Sequence, residues 1–257
     1  MADRLNVNSA SRLLALLEHA LNRPHDHTQL RVWADVFHVG NLSGRPQTQA
    51  VSEGIVLMFR QLDRMVEQLK AAGHPESTYR ELVQTLDTNI SPAYLNHGWK
   101  DFSLRLSAAK YPLTMLVNFL KDEENLVAGS DLAEVSQELD SLEKSLEEKE
   151  VAPEVRRFVR SQIDTIRKAI WEYQFRGAEV FQDAILQTFR DYANSEVAEK
   201  YENDPTIREV SSLWEKILKF SSAADKVQRG LTALYKMWEL AEKSGIHHIL
   251  KLPHHHS

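Results

Sequence analysis

Apolar residues recur at three- and four-residue spacing through most of the chain, and breakers cut that pattern into short segments before residue 128 and long ones after it. In the first part the spacing predicts helices at 9–23, 28–39, 48–72, 76–88, 99–110 and 112–122. Thr28 and Thr48 are placed to cap the second and third, Gly40 to Pro46 separates those two, and Gly73-His74-Pro75 ends the third. Ser91-Pro92 and Tyr111-Pro112 mark two further boundaries, because a residue before proline is pushed out of the α region. Residues 1–128 therefore read as a compact helical domain.

From Gly129 onward the pattern becomes heptad-like. Leu132, Val135, Leu139, Leu142 and Leu146 alternate in threes and fours, as in a helix-packing seam. Pro153 opens a second long helix carrying Val159, Ile163, Ile166, Ile170, Tyr173 and Val180, expected to run on to about residue 192. After Asn194 to Pro205 a last helix repeats Val210, Ile217, Ala224, Leu231 and Trp238 at strict sevens, with Leu213, Phe220, Val227, Leu234 and Ala241 three residues behind. Residues 129–246 thus read as an elongated long-helix bundle and 247–257 as a tail, whose His254 to His256 resemble a tag remnant and enter no functional argument. The fold class expected is all-α.

Helices of about 19, 39 and 39 residues would span roughly 28, 58 and 58 Å. The first covers half of the longer pair, so something else must cover the rest of the apolar stripe. Either a glycine, Gly177 or Gly230, breaks a helix and the bundle folds back, or the helices are continuous and residues 1–128 or a second copy cover them. Continuous helices are the expectation. It makes Leu213, Trp214, Phe220, Leu231 and Trp238 a binding face for a protein partner or for a homodimer.

Composition sharpens this in a few places. Nine glycines in 257 residues, and no Asn-Gly or Asp-Gly, argue against hairpins and sheet. The absence of cysteine excludes disulfides, thiolate metal sites and cysteine nucleophiles, and is compatible with a cytoplasmic location. The first residues lack the apolar core of a signal peptide, and the longest stretch free of Asp, Glu, Lys, Arg and His, Tyr111 to Leu120, is ten residues, so no transmembrane segment is expected. Net charge is −6, with 12 acids against 3 bases in residues 121–154 alone. Broad nucleic-acid affinity is not expected, whereas a local basic face is compatible with that distribution.

Few residues suggest chemistry. P-loop, GxGxxG, HExxH, GxSxG and calcium-loop patterns are absent, and no cofactor is expected. His25-Asp26-His27 offers two imidazoles and a carboxylate in one connector, but the ligand set is not closed, so a polar loop after Pro24 is the expected reading and a zinc site at His25 and His27 the alternative. Arg156, Arg160 and Arg167 form a stripe suited to phosphates or an acidic partner. If helices 131–149 and 154–193 close as an antiparallel hairpin about 151–152, Glu147 meets Arg156 and Glu143 meets Arg160, which would neutralise the stripe internally.

Two resemblances bear on function. Arg12-LLALLE-His19 and Arg31-VWADVF-His38 resemble the Arg-x(4–6)-His motif of the helical HEPN nucleases, although Leu13 and Val32 stand where that family has a polar residue. The resemblance implies a ribonuclease in which Arg31 or Arg12 holds the scissile phosphate while His38 or His19 moves a proton. Residues 139–179, above all PEVRRFVRSQIDTIRKAIWEYQFRGAE, look like a segment of loosely related bacterial helical proteins found among mobile-element or defence genes. That similarity implies an accessory role in such a system and no catalytic residue. The reading that follows is a non-enzymatic interaction protein, with the HEPN-like ribonuclease as alternative. A membrane-surface effector comes third, because residues 199–243 carry eight bases and eight acids rather than a cationic excess.

Overall fold

A computed structural model describes residues 7–41, 46–124, 127–195, 197, 200–201 and 204–221. Among them the chain is all-α. Ten α-helices are present with no strand, and one isolated bridge joins Thr28 to Gly98. The helices are α1 Ser9–Leu21, α2 Gln29–Val36, α3 Gln47–Ala71, α4 Arg80–Asn89, α5 Trp99–Ser107, α6 Lys110–Phe119, α7 Gly129–Glu148, α8 Pro153–Arg176, α9 Glu179–Ala193 and α10 Pro205–Ser221. Two compact units form: the described residues up to 124 together with Gln174–Gly177, and Val127–Tyr173 together with the described residues from Ala178 onward.

In the first unit α1 packs on α3 and α6, and its start is fixed by Asn8, whose side chain accepts from the Ser11 N–H at 3.0 Å and donates to the Val117 carbonyl at 3.1 Å. Thr28 caps α2 as expected, accepting from the Arg31 N–H at 3.4 Å. Thr48 does not cap α3, which starts after Pro46 without a side-chain cap. Gly73, at φ 81°, terminates α3 in the left-handed region that glycine enters freely. Tyr111-Pro112 proves to lie inside the first turn of α6, where the missing proline N–H would have had no intrahelical acceptor.

Aromatic rings fill this core. Trp33 stacks on Phe37 at 5.3 Å and meets Trp99 edge-on at 5.8 Å, while Phe37 meets Phe175 at 5.1 Å between centroids. Phe37 fits because position 54 on α3 is glycine: a Cβ there would sit 2.7 Å from the ring's Cε2.

The second unit buries the apolar positions of α7, α8, α9 and α10 together, with Val135, Leu139, Leu146, Val159, Ile163, Phe181, Ile185 and Ile217 among its most enclosed side chains. The expected continuous helix from 154 to 193 is not formed. Gly177 adopts φ 68°, α8 stops at Arg176 and α9 starts at Glu179. Gly230 lies outside the described residues.

Candidate anion-binding cleft

Helix α8 opens on Pro153, whose missing N–H costs nothing at that position, and the next N–H groups have no preceding turn to bond. Side chains on a helix tilt toward its N-terminus. Arg156, Arg157 and Arg160 therefore lean back over the 149–152 turn, and together with Val151 and Pro153 they line a concavity of about 510 Å³.

The three guanidinium groups are almost unused. Arg156 Nη2 donates to the Lys149 carbonyl at 3.3 Å, while its Nε is enclosed without an acceptor. Arg157 and Arg160 are exposed and make no hydrogen bond or ion pair among the described residues. The internal neutralisation expected from the hairpin goes to a different arginine. Glu143 pairs with Arg167 at 2.8 Å rather than with Arg160, and Asp140 pairs with the same guanidinium at 2.6 Å.

The tilt that fills the cleft also explains this register. Glu143 on α7 points away from the turn and Arg167 on α8 points toward it, so an ion pair joins residues offset from the same level by about a turn on each helix. For Arg156 to find an acid in that way, α7 would have to extend past its end at Glu148, whereas Glu147 lies at the level that suits Arg160 and makes no ion pair with it. The 156, 160, 167 stripe thus divides: Arg167 is committed within the unit, and Arg157, absent from the stripe, completes the cleft. Its signal was available in the consecutive Arg156-Arg157 pair one turn after Pro153.

The remaining candidate residues are placed as follows. Leu213 and Trp214 are buried in the core of the second unit, so the described part of the heptad stripe is internal packing and not an exposed face. The Phe220 side chain, Leu231 and Trp238 lie outside the described residues. Arg12 is buried and holds Glu123, Glu124 at 3.2 Å and the Gln61 side-chain oxygen at 3.3 Å, so it is not turned to His19. The step of seven from Arg31 to His38 does not stay on one helical face, because α2 ends at Val36 and His38 lies beyond its cap at φ 52°.

What the structure does bring together is the two histidines, His19 and His38, with ring centroids 5.6 Å apart and Arg23 hydrogen-bonded to His19. Burial, then the charges of Arg23 and His38, hold His19 below its ordinary pKa against a smaller opposing pull from Asp35. His25 shares a 3.0 Å hydrogen bond with the Ser103 hydroxyl, while the His27 Nδ1 is enclosed without a partner. No three His, Asp or Glu side chains converge as metal ligands among the described residues. No helix among them is long and apolar enough to cross a membrane. The chain matches no protein-family model, no curated protein and no solved structure.

Proposed function

We propose that this chain is a non-enzymatic helical binding protein that docks an anionic group in the cleft formed by Arg156, Arg157 and Arg160. The observation that carries the reading is the set of guanidinium groups lining one concavity with no internal carboxylate. Arginines kept only for solubility spread over a surface, whereas planar forks that converge suit recognition of an oxyanion. The ribonuclease alternative has less support, because each Arg-x6-His pair is separated by the fold while the histidines meet without those arginines. The likeness of residues 139–179 to bacterial mobile-element and defence proteins supports an accessory role in such a system. The heptads that continue through Leu231 and Trp238 support a further apolar contact with a protein partner or a second copy.

The test is titration of the full chain with small anions, followed by calorimetry, for wild type and for Arg156→Gln/Arg160→Gln. Saturable binding that the double variant loses is the expected result. Equal binding by both proteins would remove the cleft as the site.

A further inference from the structure

Resting on the anionic reading of the cleft, we infer that its ligand is a small, soluble phosphate monoester. Each guanidinium carries five N–H donors, and across Arg156, Arg157 and Arg160 the described residues satisfy one, at the Lys149 carbonyl. A carboxylate offers two oxygens and one negative charge, enough for one bidentate arginine. A phosphate monoester offers three terminal oxygens and a charge of about −1.5 to −2 at pH 7, which matches three converging cations far better.

The first turn of α8 adds to this match. Its free N–H groups and the positive end of the helix dipole lie beside Pro153, which is itself part of the cleft lining. Arg156 lines the cleft with donors beyond the one taken by the Lys149 carbonyl, while its Nε is closed off from solvent.

Size and surroundings select a small ligand over a polyanion. A concavity of about 510 Å³ falls inside the range of small-molecule sites. Helix α7, joined to α8 by the Arg167 ion pairs, carries seven acidic side chains and one lysine, so a long polyphosphate backbone leaving the cleft would run beside like charge. The apolar lining, Val151 and Pro153, leaves room for the carbon skeleton of the ester.

The experiment is isothermal titration of the full chain at low ionic strength with inorganic phosphate, ribose 5-phosphate, acetate and triglutamate. Flotation with phosphatidic acid vesicles and fluorescence anisotropy with a single-stranded RNA oligomer run alongside. The inference expects ribose 5-phosphate and inorganic phosphate to bind, with acetate roughly tenfold weaker or undetectable. Arg156→Gln/Arg160→Gln should weaken phosphate binding at least about tenfold, while Arg167→Gln, which removes one positive charge outside the cleft, leaves it unchanged. Circular dichroism shows in each case that the variant is folded.

Arginine-dependent binding of triglutamate without phosphate binding overturns the phosphate inference and keeps the anionic reading. Absence of binding by every anion overturns both. Capture of vesicles or RNA with no response to the soluble esters overturns the small-ligand assignment and identifies a lipid headgroup or a polynucleotide as the source of the phosphate.

Discussion

Arg12 shows what a buried charge demands of its neighbours. It lies within α1 at 8% side-chain exposure, held by Glu123 and Glu124, with Gln61 taking its Nε. Glu123 in turn meets Arg64 at 3.3 Å and accepts from Gln68 at 2.5 Å. Removing the guanidinium takes the nearest cation from two enclosed carboxylates, so Arg12→Met is expected to cost about 3 kcal/mol in urea unfolding. Adding Glu123→Gln should return part of that loss. A single-variant cost below about 1 kcal/mol would show that the network is solvated.

The same residues set the pH behaviour. Burial pushes the Glu123 carboxyl up, but Arg12, the Gln68 hydrogen bond and Arg64 outweigh it and hold the group below its ordinary 4.5. Its contribution is therefore complete above that value and is lost as the pH falls through the lower folded value. His19 is also depressed, below 6.5, so the unfolded chain takes up a proton before the folded one does, and stability falls as the pH drops under 6.5. Melting temperatures should then decline in two windows. His19→Gln is expected to flatten the upper one and leave the lower unchanged; an unaltered upper slope would assign it to other groups. The sequence made Arg12 and His19 visible only as an Arg-x6-His spacing, because partners more than 100 residues away, such as Glu123, leave no local trace.

At the scale of elements, the breaks were legible wherever a residue had one conformational use. Thr28 and Gly73 are such cases. Gly177 was not legible in this way, since a glycine costs only about 1 kcal/mol in a helix interior and packing decides whether the helix survives it. The structure shows two reasons for glycine there. Its φ of 68° is left-handed, and a Cβ would lie 2.8 Å from the Glu124 carboxyl carbon. Gly177→Ala should destabilise by at least about 1–2 kcal/mol. Gly177→Asn separates the two reasons, because asparagine tolerates the left-handed region but still carries the Cβ. Denaturant melts should show both variants destabilised, and recovery of wild-type stability by asparagine would leave the dihedral as the sole constraint.

For the whole molecule, the expected need for a second copy rested on straight helices of roughly 58 Å. The break at Gly177 removes that premise for the described residues. Helices of 20, 24 and 15 residues, with α10 described over 17, take the place of the unequal set, and the first three measure roughly 30, 36 and 22 Å. Such lengths allow α10 to return onto α7 and α9, so that Leu213, Trp214 and Ile217 enter the unit's own core. Lys216 holds α10 to α7 at Glu134, 3.1 Å away, and at Glu138. A periodic apolar stripe specifies burial but not the chain that supplies it, and heptad spacing alone therefore left the two solutions open. The distinction is measurable at Leu213. A glutamate there places an unpaired carboxylate in a site with 3% exposure, a class of change that costs upward of about 4 kcal/mol. Leu213→Glu is expected to lower the thermal transition sharply, with the folded fraction keeping the wild-type mass in light scattering. Unchanged melting together with a halved mass would instead place Leu213 at a contact between copies.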